Sequence, residues 1–560
     1  MSKILIYQVL PRLFGNDKDT NKENGTIEEN GVGKFSAFDN KALKEIAKMG
    51  YTHIWYTGVI EHATKTDYSA SGIPTDHADV VKGNAGSPYA IKDYYDVTPD
   101  LADDVDSRMA EFEALIERTH KAGLKIIMDF VPNHVARQYK SDAKPRKIVD
   151  LGANDDTSQS FVPDNNFYYI PGQQLELLKS KIEGEGAYHE SPARVTGNDF
   201  FGNNPSINDW YETVKLNYGV DYSGGGNKYF TPIPDTWIKM YEILAFWASK
   251  KIDGFRCDMA EMVPVEFWNW VTIQLKSKYK SLIFIAEIYK TEEYHNYIHG
   301  GLFDYLYDKV GLYDTLRNVI CGYQPTSDIT FSWQRLNGLE DRMLNFIENH
   351  DEQRIASDFF AKDPVKGVPG MIVAATMNTN PVMVYFGQEL GESGMDKEGF
   401  SGTDGRTTIF DYWSVDTIRR WRNDGKFGNS RLTKEEIKLR KFYTTLINLC
   451  RDEKTITDGS FFDLMYANYE NPHFDPTRQY AFLRAYKKEA LLIVSNFDNK
   501  DVDISVNIPQ EAFGYINMRP TQIKHVTDLL ANKQTALIIR ENSVCLKIPA
   551  NSGKIIRFSI

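Results

Sequence analysis

From residue 1 to about 400, short apolar runs alternate with stretches in which apolar residues recur every three or four positions. That pattern predicts parallel strands joined by amphipathic helices. Ile4 to Leu10 reads as the first strand. Leu43, Ile46 and Ala47 lie at helical spacing, Gly50 ends that helix as a C′ glycine, and a strand over Thr52 to Tyr56 follows at once. The unit then repeats. Met109, Phe112, Leu115, Ile116 and Thr119 form a helical stripe stopped by Gly123, and Leu124 to Phe130 reads as a strand buried on both faces. A third stripe, Trp237, Met240, Tyr241, Leu244, Trp247 and Ala248, has Asp235 as its N-cap and leads into a strand over Ile252 to Phe255. Further strands are expected at Ser281 to Tyr289, Leu302 to Leu306, Arg342 to Asn349 and Pro381 to Gly387. Eight strands in this arrangement form either a parallel α/β sheet or a barrel.

Two regions break the alternation. Residues 135–235 are rich in Asn, Asp and Gly, include Gly224-Gly225-Gly226, and lack strong periodicity. So long a structureless loop is improbable inside a compact domain, and the stretch is expected to be an inserted subdomain. After about residue 455 the helical patterns stop. Tyr480 to Ala485, Ala490 to Ser495, Asp501 to Ile508 and the last twenty residues read as short strands of a small antiparallel β domain, expected to be a sandwich. The resulting division is a first domain over 1–134, the insertion over 135–235, the rest of the first domain over 236–450, and the β domain over 451–560.

Composition narrows the partners. A chain of 560 residues exceeds what one core usually holds. With 65 Lys and Arg against 77 Asp and Glu, the net charge of −12 argues against nucleic acid or an anionic membrane. The 9 Trp, 32 Tyr and 31 Phe supply many flat apolar faces, most of them core. Cys257, Cys321, Cys450 and Cys545 are too far apart for a metal knuckle and too few for a disulfide framework, so free thiols are expected. The opening residues show no cleavage site after their apolar run, and no run approaches the roughly 20 apolar residues of a membrane helix. A cytoplasmic location is the expectation. Nothing in the sequence predicts an oligomeric state.

The chemistry lies at strand ends, which in a parallel barrel face the active site. Four acid-bearing segments stand there: DFVPNH (Asp129 to His134), GFRCD (Gly254 to Asp258), Ala286-Glu287, and ENHD (Glu348 to Asp351). One such acid is more often a helix cap or an ion pair. Four on strands that must converge are a signal. In order and spacing these segments resemble the four signature segments of the α-amylase family, glycoside hydrolase family 13. GSPYAIKDYYDV and VYFGQELG are similar to further family segments.

The resemblance implies a (β/α)8 TIM barrel with an inserted subdomain after the third strand and a C-terminal antiparallel β domain. It also implies a retaining α-glucan hydrolase, cleaving α-1,4 bonds in starch, glycogen or malto-oligosaccharides. Retention needs a nucleophilic carboxylate and a carboxylic acid about 5 to 5.5 Å apart, a separation adjacent strands can supply. By resemblance Asp258 is the nucleophile, Glu287 the general acid and then base, and Asp351 the stabiliser of the oxocarbenium-like transition state. Arg256 lies on the same strand face as Asp258 and is expected to hold it ionised. Glu287 is expected to have a raised pKa. His134 and His350 resemble hydrogen-bond donors to the sugar, Tyr89 a stacking platform, and Arg354 a substrate-binding arginine of members acting on short oligosaccharides.

No cofactor is required for this chemistry. Many members carry a structural calcium, and Asn133 stands where one of its ligands comes from. Against that ion, Ala260-Glu261-Met262 lacks the usual Lys-His pair, and Lys215 stands where an acidic residue is common. Glucanotransferases share the three acids, so transfer to a sugar acceptor is the alternative reaction.

Overall fold

The computed structural model describes residues 3–177, 186–515, 525–534, 538–540 and 542–559. Eight parallel strands form its centre: β1 (Leu5–Val9), β2 (His53–Tyr56), β3 (Lys125–Phe130), β4 (Gly254–Cys257), β5 (Ile283–Ala286), β6 (Tyr305–Tyr307), β7 (Met343–Leu344) and β8 (Val382–Tyr385). They hydrogen-bond in the order β7-β6-β5-β4-β3-β2-β1-β8. A bridge between Asn345 and Val382 joins the two ends and closes the ring into a (β/α)8 barrel.

The strands are apolar on both faces because each face meets a different core. On β1, Leu5, Tyr7 and Val9 pack outward with the helices, while Ile6 points into the barrel. Trp55, Ile127, Ile285, Tyr307, Leu344 and Met383 join Ile6 in that inner cluster, one from each of six other strands. Only β4 gives it no apolar side chain: Phe255 and Cys257 face the outer core, and the intervening Arg256 is fully buried. The two-residue side-chain period therefore places a guanidinium inside the barrel.

Local chemistry sets the element ends. The helix Asn40–Lys48 starts under the Asp39 carboxylate, which accepts from the N–H groups of Lys41 and Ala42. It ends at Gly50, whose φ is +104°. The helix Asp235–Ser249 differs from expectation: Pro234 occupies the N-cap, and Asp235, in the first turn, pairs with Lys239 at 2.8 Å. The strand expected over Arg342 to Asn349 keeps only two residues. Beyond it the Asn349 side chain accepts from the N–H groups of Asp351 and Glu352 and turns the chain.

Between β3 and the helix Asp235–Ser249 the described residues form only strands of two or three residues. Of these, His134–Ala136 pairs antiparallel with Thr213–Lys215. A buried ion pair, Arg137 to Glu190 at 2.8 Å, helps hold this irregular backbone. At the C-terminal end a six-stranded sheet runs Ser460–Asp463, Gln479–Tyr486, Glu489–Asn496, Ser552–Ser559, His525–Asp528, Lys533–Gln534, beside a three-stranded sheet of Val502–Asn507, Ser543–Ile548 and Ile538–Arg540. Both are antiparallel. Helices do not stop at 455 as expected: Gln510–Tyr515 is one more, held by buried Ala512 and Phe513. All four cysteines are free. Among the described residues no helix is long and apolar enough to cross a membrane.

Gly50 sits where the end of the helix Asn40–Lys48 meets the helix Lys434–Asp452, and a Cβ there would lie 2.8 Å from the Asn448 main-chain nitrogen. Gly50→Ala should therefore lower stability by more than the roughly 1–2 kcal/mol that a left-handed conformation costs alone. A thermal melt of the two proteins, read by circular dichroism, checks this.

Candidate active site

Arg256 organises the C-terminal mouth of the barrel. Its Nη1 lies 2.7 Å from Asp258 Oδ1 and 3.3 Å from Asp129 Oδ1, and its Nη2 lies 2.8 Å from Glu287 Oε2. Nε donates to the Tyr307 hydroxyl at 3.1 Å. Its charged plane sits 5.3 to 5.5 Å from the ring centres of Trp55, Tyr89 and Tyr307. One cation thus serves three carboxylates and three aromatic faces.

The barrel ladder positions the acids. The Asp258 N–H donates to the Phe130 carbonyl at 2.9 Å, and the Glu287 N–H donates to the Cys257 carbonyl at 3.1 Å. Burial raises the Asp258 carboxyl, with Arg256 and a hydrogen bond with Glu287 pulling the other way. The net direction differs from the depression expected from Arg256 alone, because desolvation outweighs the ion pair. Burial also raises Glu287, helped by the Asp258 charge and opposed by Arg256, in the direction the sequence predicts. Its Oε1 accepts from the Tyr289 hydroxyl at 2.6 Å, and Oε2 accepts from the Met259 N–H at 2.8 Å. Met259 holds that N–H in place from a left-handed backbone, φ +42°. Asp351, its side chain 32% exposed, is raised well above the ordinary range by burial and by Glu287.

The two histidines are neutral. Burial lowers His134 to about 4 and holds His350 well below the ordinary imidazole range. The Gln8 side-chain amide reaches His350 Nδ1 at 2.8 Å, which fixes that nitrogen as acceptor and leaves the proton on Nε2. Nε2 lies 2.5 Å from the Tyr89 hydroxyl and 3.1 Å from Asp351 Oδ2. The Tyr89 and His350 rings stack, centres 5.3 Å apart.

A cleft of about 330 Å³ opens above these groups, lined by Tyr89, His134, Asp258, Glu287 and Asp351. Arg256 and His350 are buried and do not line it. The structure adds residues that sequence reasoning missed. Tyr289 was readable, since it is two residues after Glu287 and so on the same face. Asp129 was visible at a strand end, but the resemblance gave it no role; burial raises it to about 7, and it accepts from the Trp55 indole at 2.9 Å. Trp210, Phe400 and Phe410 come from irregular segments with no periodicity to flag them. Lys82 and Glu212, also in the lining, face each other at 3.2 Å.

Arg354 is not brought to the cleft. It is fully buried behind it, paired with Glu348 at 2.9 Å, donating to Thr407 Oγ1 at 2.9 Å and stacked 4.1 Å from the Tyr385 ring centre. Its guanidinium is spent on Glu348 and Thr407 and does not line the cleft, so a substrate contact for it does not fit this geometry.

A family model described as the alpha amylase catalytic domain matches residues 8–467. Alpha-amylase 2 of Dictyoglomus thermophilum is 22% identical over 76% of this chain and 61% of its own length. Alpha-amylase MalA of Haloarcula japonica is 22% identical over 90% of this chain and 56% of its own. The chain thus spans about three-fifths of the length of these curated relatives. Among solved structures, the maltogenic alpha-amylase AmyB from Thermotoga neapolitana superposes with a TM-score of 0.62 at 18% identity, covering 100% of this chain and 99% of that one, a likeness of fold.

A calcium ion does not fit at Asn133. The Asn133 side-chain oxygen accepts from the Lys215 ammonium at 2.9 Å, and its NH₂ donates to the Gly197 carbonyl at 2.7 Å. Lys215 is itself buried and lies 2.5 Å from Asp199 Oδ1. A lysine cation takes the amide oxygen that a metal would need, and about six to eight such oxygens are required. Lys215→Met should cost roughly 1–3 kcal/mol by leaving Asn133 and Asp199 without their donor. In melts with and without millimolar calcium, the gap between variant and parent should stay the same.

Proposed function

Because the chain belongs to the alpha-amylase catalytic-domain family, we propose that it is a retaining α-glucan hydrolase acting on α-1,4-linked glucose in starch, glycogen or malto-oligosaccharides. The observation that carries this reading is the meeting of Asp258, Glu287 and Asp351 in one cleft, with Arg256 touching the first two. The Asp258 carboxylate attacks the anomeric carbon from one face, the bond to the leaving oxygen breaks, and the proton on Glu287 passes to that oxygen. In the second half Glu287, now a carboxylate, takes a proton from the water that attacks the glucosyl-Asp258 ester. The product keeps its α configuration. Asp351 stabilises the positive charge that develops at the ring oxygen and anomeric carbon, a charge that in turn favours ionisation of its raised carboxyl. Tyr89 offers an apolar face to the sugar and His134 a neutral donor, while buried His350, whose Nε2 lies 2.5 Å from the Tyr89 hydroxyl, positions that ring.

Burial serves the division of labour. The upward shift of Glu287 favours its protonated form, the form a general acid needs. Arg256 stabilises the negative charge of Asp258 against that same burial.

Transfer to a sugar hydroxyl in place of water uses the same acids. The apolar faces of Trp210, Phe400 and Phe410 favour it as a second reading, since they can hold an acceptor sugar in the cleft.

Incubation with maltoheptaose, with product lengths followed by chromatography and the released anomer by proton NMR, tests both readings. Shorter α-anomeric products support hydrolysis, longer ones support transfer, and β-anomeric products overturn the retaining mechanism. Asp258→Asn should lower kcat by several orders of magnitude while the protein still folds and binds maltoheptaose. In Tyr289→Phe, Glu287 loses a donor that favours its ionised form, so its pKa rises. The alkaline limb of the kcat/KM profile should then move up by about 1 pH unit.

A further inference from the structure

A second set of carboxylates lies outside the cleft. Beside β2, the strand Ile60–His62 pairs antiparallel with Ile91–Val97, and Glu61 stands directly opposite Asp93, with register shifts on both sides of it. Like charges in directly opposed positions destabilise a strand pair. Asp142, from the loop after His134–Ala136, completes the group: one carboxylate oxygen from each of Glu61, Asp93 and Asp142 lies within 4.8 Å of the others.

Glu61 makes this more than an acidic surface. Its side chain is 1% exposed, yet neither carboxylate oxygen has a hydrogen-bond partner. A buried carboxylate without donors is among the costliest groups a fold can hold. Desolvation, reinforced by Asp93, Asp96 and Asp142, pushes it up to about 9. The nearby Lys92 opposes this only in part and makes no bond to Glu61, because its ammonium is held by Asp76 at 3.0 Å and by the Pro74 carbonyl. Asp96, in turn, is engaged by Arg108.

Asp93, by contrast, is fixed. Oδ1 accepts from the Tyr95 N–H at 2.8 Å and the Ser141 hydroxyl at 2.6 Å, and Oδ2 accepts from the N–H groups of Asp142 and Ala143 at 2.9 and 3.0 Å. Those bonds hold the 141–143 loop so that the exposed Asp142 carboxylate faces Glu61 from the solvent side. Oxygens this far apart suit a shared ion with metal–oxygen distances of about 2.3–2.6 Å.

We propose that Glu61, Asp93 and Asp142 bind a hard divalent cation, calcium by size. The ion gives Glu61 the partner it lacks and clasps the strand pair beside β2 to the loop entering the 135–235 stretch. Water fills its remaining positions on the exposed side. This site is separate from Asn133, where Lys215 already supplies a cation.

The test uses the full-length protein, dialysed against EDTA and then into chelator-free buffer, with parent, Asp142→Asn and Glu61→Gln compared. Calcium chloride is titrated by calorimetry and by thermal melts, with magnesium and manganese chlorides alongside. The parent should melt at least about 2 °C higher in saturating calcium. Asp142→Asn, an exposed change that leaves the fold intact, should weaken calcium binding at this site tenfold or more and lose most of that rise. Glu61→Gln should lose it too, while melting no lower than the metal-free parent because a neutral amide replaces a buried carboxyl that has no hydrogen-bond partner. A parent whose melting is indifferent to all three cations, or variants that keep the full response, would overturn the proposal.

Discussion

The buried guanidinium of Arg256 is the constraint around which the barrel is arranged. Every other strand but β4 sends an apolar side chain into the inner cluster, and β4 sends a charge. A buried cation persists only when paired and hydrogen-bonded. Here the partners are Asp129 at the end of β3, Asp258 after β4 and Glu287 after β5, so one desolvated charge draws three neighbouring strand ends to a common point. The requirement of the fold and that of the chemistry coincide. The arginine needs carboxylates, and the reaction needs two of them close together in unlike protonation states.

What the sequence made legible follows from periodicity. The strands and the helical stripes that set the barrel have period two or 3.6, and their acids stand at the ends where the chain leaves the sheet. Periodicity placed four acid-bearing segments at those ends, and the family resemblance picked out Asp258, Glu287 and Asp351 from them; Tyr289 could have been read too. Trp210, Phe400 and Phe410 belong to irregular backbone whose course depends on contacts distant in the chain, and no local pattern announces them. Arg354 shows the opposite failure. Its position in the chain matched a motif, but Glu348, six residues earlier on the same turn, captures its guanidinium at 2.9 Å and holds it in the interior. Glu61 was invisible for a different reason: its partners Asp93 and Asp142 meet it only through a strand register and a loop.

Charge inside this protein is handled by substitution as well as by pairing. At Asn133 a lysine fills the place a divalent ion would take, which ties the segments on either side of it with a covalently attached cation. At Arg137 an arginine meets Glu190 and the 194 carbonyl within the same irregular stretch. A region poor in regular secondary structure has few main-chain ladders, and long cationic side chains supply cross-links that carbonyls and carboxylates can accept.

The closure of the barrel is uneven. Strands β3, β4 and β5 are laced by continuous ladders that run up to Asp258 and Glu287, whereas β7 has two residues and meets β8 through the single bridge at Asn345. Asp258 and Glu287, the proposed nucleophile and general acid, are therefore fixed relative to each other by main-chain bonds. Asp351 hangs beyond the loosest joint of the ring, on a turn held by the Asn349 side chain. In the proposed reaction the ladder-bound pair would define where the bond breaks, while the third acid is placed by a side-chain turn and not by the sheet.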